Sequence, residues 1–108
     1  MKNNFVPKQL EEKADLYRQR NSQYGDSYKR IGKVLQAYFG DEGVTLKDNH
    51  DFGRFIHFMQ IAGKLGRYAT QFSKGGHIDS LDDISVYSII LKELDLLAQA
   101  EKKKKKRK

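Results

Sequence analysis

Apolar residues recur three or four positions apart through most of this chain, and they nowhere alternate long enough to predict a strand. From Lys8 to about Gln23, the positions Leu10, Ala14, Tyr17 and Asn21 line up as one narrow face. Pro7, the only proline, falls near the start of that first helix, where proline is tolerated. Tyr24-Gly25-Asp26-Ser27 breaks the helix and supplies Asp26 or Ser27 as the next N-cap. A second helix runs to about Phe39 with Tyr28, Ile31, Val34, Leu35 and Tyr38 in register, and Gly40 stops it. After the loop Asp41 to Leu46, a long helix is predicted from about Asp48 to Phe72. Its apolar residues Phe52, Phe55, Ile56, Phe58, Met59, Ile61, Ala62, Leu65 and Ala69 cover most of its circumference, which marks it as central. One polar stripe remains, His57, Gln60, Lys64, Arg67 and Gln71. Ser73 to Gly76 turns into a last helix from about Ser80 to Glu101, with Ser80 and Asp83 reading as a capping box. The expectation is an all-α, four-helix bundle-like domain over residues 1–101, with a basic C-terminal tail over 102–108.

The net charge of +7 changes this picture only at one end. Residues 102–108 are all Lys or Arg; without them, 14 basic residues face 14 acidic ones. The positive field is therefore a tail rather than a basic nucleic-acid domain, and non-specific nucleic-acid binding is expected of the tail alone. The tail reads as frayed or disordered and chiefly solubilising. The absence of cysteine excludes disulfide and thiolate–metal chemistry. No apolar run approaches the roughly 20 residues of a membrane span, and the first residues lack the apolar stretch of a secretory signal. A cytoplasmic protein with no membrane association is expected.

Asp79 and Asp83 stand out within this pattern. On a helix they share a side with Ile90, Leu94 and Leu97, the side expected to pack. A carboxylate turned into a packing groove requires a cation, a metal or strong hydrogen bonds. Spaced four apart, the pair is suited to share Mg²⁺; equally, either aspartate suits a helix N-terminus or a salt bridge. Lys64 and Arg67, three apart on the central helix, reach one anion together. Glu12 and Asp15 have metal-ligand spacing but lie off the apolar face, so they are weaker metal candidates and solvent exposure is expected. The histidines lack zinc-site spacing, and no nucleophile elbow, P-loop or dinucleotide fingerprint occurs.

Three segments in series, Arg20-Asn21-Ser22-Gln23-Tyr24-Gly25-Asp26, Lys64-Leu65-Gly66-Arg67, and His77-Ile78-Asp79 with Asp83-Ile84-Ser85-Val86-Tyr87, resemble a phage-type subgroup of MazG-like proteins. The resemblance spans roughly residues 10 to 95 and implies an all-α nucleotide pyrophosphohydrolase, often a homo-oligomer, that binds a nucleoside triphosphate with Mg²⁺ and releases pyrophosphate. It further implies that Asp79 and Asp83 hold metal, while Lys64, Arg67 and Arg20 meet phosphates. No catalytic residue is assigned. The better-known enzymes carry an ExxE pair and an ExxD pair; here the second is DxxxD, and only Glu12 and Asp15 stand near the place of the first. Binding or sequestering a nucleotide without turnover, or engaging a host protein through the same groove, is the alternative reading.

Overall fold

The computed structural model describes residues 3–106, the Gln23 side chain excepted. The described chain is all helix and loop: α1 (Phe5–Tyr24), α2 (Ser27–Phe39), α3 (Asn49–Gln71) with a 3₁₀ turn over Phe72–Lys74, and α4 (Ile78–Lys106). Each boundary has a local cause. Gly25 and Gly40 take positive φ, where their N–H groups close the ends of α1 and α2 on Asn21 and Gln36. The Asp48 carboxylate accepts from the Asp51 N–H at 2.9 Å, capping α3. That bond holds the Asp48 carboxyl below its ordinary range.

α3 is the hub, packing most extensively on α4 and also on α2 and α1. The seam between α3 and α4 follows a heptad rhythm. Ser80, Ile84, Tyr87, Leu91, Leu94, Ala98 and Glu101 are spaced alternately four and three residues apart, and all are buried or half-buried. Small residues set the approach: among the described residues, Ala62 of α3 with Ser80 and Ala98 of α4 are the buried ones. Phe39 of α2 packs against Phe55 and Phe58 of α3, with ring centroids 5.8 and 5.5 Å apart.

Several sequence expectations are corrected here. The packing face of α4 is centred on Ser80, Tyr87, Leu91 and Ala98, so Asp79, Ile90 and Leu97 lie outside it and only Asp83 and Leu94 are half-buried. The small residues pull the seam toward themselves, rotating the helix away from the stripe of larger apolar positions. Ser80 does not cap α4, which begins two residues earlier; its hydroxyl instead meets His77 Nδ1 at 2.6 Å. The lysine run is not frayed through residue 106, because α4 continues to Lys106. Lysine is a good helix former, and cations suit the negative end of the helix dipole. Residues 107 and 108 of the tail lie outside the described residues. On α1 the predicted apolar face is not covered: Leu10 is 65% and Tyr17 51% exposed.

Because Ser80 sits at the tightest point of the seam, Ser80→Leu should lower unfolding stability by about 1–3 kcal/mol through overpacking. Urea unfolding followed by helical circular dichroism measures this; an unshifted midpoint would show that the seam is looser than its geometry implies.

Candidate functional site

The corner where α1 turns into α2 is built by one side chain. Asn21 Nδ2 donates to the Gly25 carbonyl at 3.2 Å and to Asp26 Oδ1 at 2.8 Å, tying both sides of the turn. Lys29, three residues on, pairs with the other Asp26 oxygen at 3.4 Å. Asn21 and then Lys29 hold the Asp26 carboxyl below its ordinary range. Tyr17 and Tyr28 bring their hydroxyls to 2.9 Å across the corner, and that bond raises the Tyr17 phenol. Asn21 and Asp26 are thus held by the turn itself.

Behind the corner lies a cavity of about 350 Å³, lined by Lys13, Leu16, Tyr17, Arg20, Asn21, Tyr24, Gly25, Ser27, Tyr28 and Arg67. Three cations, Lys13, Arg20 and Arg67, share this lining with three tyrosines, and no carboxylate belongs to it. The Arg67 guanidinium lies 4.9 Å from the centre of the Tyr24 ring, a contact worth about 0.5–1 kcal/mol at an exposed site, which fixes its direction. Tyr24 also meets His77 edge-on at 5.9 Å, joining the cavity wall to the start of α4. Cations without a neutralising acid beside flat aromatic faces are suited to an anionic ligand that carries a ring.

One turn from Arg67, Lys64 reaches α4. Its Nζ lies 3.2 Å from Asp83 Oδ2, with the lysine side chain 17% exposed and the aspartate 49%. Asp79 is exposed one turn earlier. The structure therefore brings Lys64 to Asp83 and sets Arg67 with Arg20 in the corner cavity, so these two members of the α3 polar stripe face different neighbours. Among the described residues no group of three or more His, Asp or Glu could hold a metal ion. Glu12 and Asp15 are exposed on α1 as expected: Gln9 donates to Glu12 at 3.5 Å, and Arg18 pairs with Asp15 at 2.6 Å.

A larger cavity of about 560 Å³ opens where α2, the 41–48 loop, α3 and α4 meet, lined mainly by Tyr38, Phe39, Phe55, Phe58, Leu65 and Leu91. Its cation is already neutralised, since Arg54 donates to Asp95 at 2.6 Å and lies 3.6 Å from Asp51. It therefore offers apolar surface but no spare positive charge.

Sequence reasoning missed Lys13 and the tyrosines as cavity walls. Their signal was present on the first helix, where Lys13, Leu16, Arg20 and Tyr24 flank Tyr17 and Asn21 in helical register. No known family model, curated protein or solved structure matches the chain.

Because the Asp26 carboxyl is depressed in the folded chain, its contribution to stability is present at neutral pH and is lost as pH falls from the ordinary carboxylate range through the depressed value. Thermal unfolding in acid should therefore show a loss that Asp26→Asn removes. An identical acid dependence in that variant would show that the corner does not rest on this carboxylate.

Proposed function

We propose that this chain is a MazG-like nucleotide-binding protein whose corner cavity takes the phosphates of a nucleoside triphosphate, with Mg²⁺-dependent pyrophosphohydrolysis as the reaction. The observation that carries this reading is the convergence of Lys13, Arg20 and Arg67 on one tyrosine-walled cavity without a carboxylate. Arginine presents paired donors to phosphate oxygens, and Arg67 is held in direction by Tyr24. The tyrosine faces offer a surface to a base or sugar. Lys64, one turn away, faces α4 and is paired with Asp83, so it would add positive charge toward a phosphate only once that pair opens.

Asp79 and Asp83 are the residues that would hold Mg²⁺. Two carboxylates on one helix face would suit a hard cation that arrives with the nucleotide. When bound, Mg²⁺ neutralises phosphate charge and activates water. Asp83 would then exchange Lys64 for the ion, and the freed ammonium would turn to phosphate.

The second reading, binding without turnover, is favoured by the carboxylate inventory. Asp83 is already engaged by Lys64, and Glu12 and Asp15 lie exposed on α1. A panel of nucleoside and deoxynucleoside triphosphates, with and without Mg²⁺, scored for both binding and pyrophosphate release, separates the two readings.

Arg67→Ala should weaken triphosphate binding roughly tenfold to a hundredfold, the range set by a charge-assisted hydrogen bond of about 1.5–3 kcal/mol. Calorimetric titration checks it, and unchanged affinity would remove the cavity from the site. Asp83→Asn keeps the shape but removes the charge, so it should abolish the Mg²⁺-dependent part of binding or turnover. Undiminished Mg²⁺ dependence would overturn the metal assignment, whereas a loss of stability with the ligand response intact would assign Asp83 to its ion pair with Lys64.

A further inference from the structure

The larger cavity, where α2, the 41–48 loop, α3 and α4 meet, has no part in the nucleotide reading, and its chemistry is the reverse of the corner's. At about 560 Å³ it falls within the range of small-molecule sites, about 300–1,000 Å³. Its wall is aromatic. Tyr38 meets Phe58 edge-on at 6.0 Å, and Phe39 lies 5.8 Å from Phe55 and 5.5 Å from Phe58. Ile61, Leu65 and Leu91 add aliphatic surface from α3 and α4.

Three ionised side chains share this lining, Asp51, Arg54 and Asp95, so two carboxylates face one guanidinium. Arg54 Nε donates to Asp95 Oδ1 at 2.6 Å, whereas Arg54 and Asp51 are 3.6 Å apart. Asp51 has a second use. Its Oδ2 accepts the Lys47 N–H at 3.0 Å, and it stands in the first turn of α3, at the positive end of the helix. The bond from Arg54 uses Oδ1 of Asp95 and not Oδ2, and the Asp95 side chain remains 42% exposed. No lysine belongs to the lining; Lys105 of the tail bears on Asp48 instead. A ligand with a carboxylate head would meet surplus negative charge here. An ammonium head would meet an available acceptor beside ring faces that attract cations.

We propose that this cavity binds a small organic monocation, a protonated amine whose apolar body lies among the rings of Tyr38, Phe39, Phe55 and Phe58. Its N–H group donates to Asp95 Oδ2, so the bond from Arg54 to Oδ1 need not break. The apolar body is required, because a bare ion would lose hydration against this wall and gain little from it. The cavity shares no lining residue with the corner, so the proposal stands apart from the nucleotide reading.

The test titrates the full chain with three probes of similar shape and different charge: naphthylmethylamine, naphthylmethanol and naphthoate. Followed by nuclear magnetic resonance, the amine should bind about tenfold more tightly than the alcohol, the gain from one charge-assisted hydrogen bond, with naphthoate weakest. Its shifts should fall on Tyr38, Phe58 and Asp95, and a nucleoside triphosphate should not displace it. Asp95→Asn should reduce the amine to the affinity of the alcohol. Because that variant also disturbs Arg54, Thr45→Lys supplies a second reading. Thr45 is exposed in the lining, so a cation there should weaken the amine and strengthen naphthoate, with helical circular dichroism retained. Equal affinity for the three probes, a preference for naphthoate, or amine shifts at the corner cavity would overturn the proposal. So would amine affinity unchanged in both variants. Failure to bind the amine overturns it as well, and a sedimenting particle of twice the chain mass would then assign the cavity to a second copy.

Discussion

Everything in this molecule hangs on the seam between α3 and α4. With only Ala62, Ala98 and Ser80 buried among the described residues, the molecule has almost no interior in the usual sense, and its order comes from two long helices packed along their length. That closeness sets what the larger side chains can do. Arg54 reaches Asp95, His57 meets the Tyr87 ring at 6.2 Å, and Lys64 reaches Asp83, all across the same seam. Widening it would release these contacts together.

The candidate site grows out of this arrangement at one end of α3. Lys64 looks along the seam to α4, while Arg67, one turn on, looks the other way to the corner of α1 and α2. The same short segment of helix therefore carries an ion pair with Asp83 and one wall of a cationic cavity, and Tyr24 touches both Arg67 and His77. The proposed nucleotide reading rests on this juxtaposition of a Lys64–Asp83 ion pair and a cavity whose lining holds cations and no carboxylate.

Much of the fold was legible in the sequence because helix periodicity and glycine stops are local. The loop breaks at Gly25, Gly40 and Gly75, the central position of α3 and the absence of strands all follow from patterns a few residues wide. The rotation of α4 was not legible, because it depends on which face lets two backbones approach. The apolar stripe through Ile90 and Leu97 is larger, but the small residues Ser80 and Ala98 make the closer fit. The site was legible in part. Lys64, Arg67, Asp79 and Asp83 were singled out by type and spacing and Arg20 by the resemblance alone, yet their division into a cavity group and an ion pair depends on how α1 and α2 are set at the Gly25 corner, which spacing does not encode.

The most direct test of the account is a nuclear magnetic resonance titration of the full chain with a nucleoside triphosphate, first without and then with Mg²⁺. The account predicts shifts concentrated at Lys13, Arg20, Tyr24 and Arg67 on adding nucleotide, and further shifts at Lys64, Asp79 and Asp83 only when Mg²⁺ follows. Shifts confined to the lysine run from Lys102 onward, with the corner cavity silent, would contradict it.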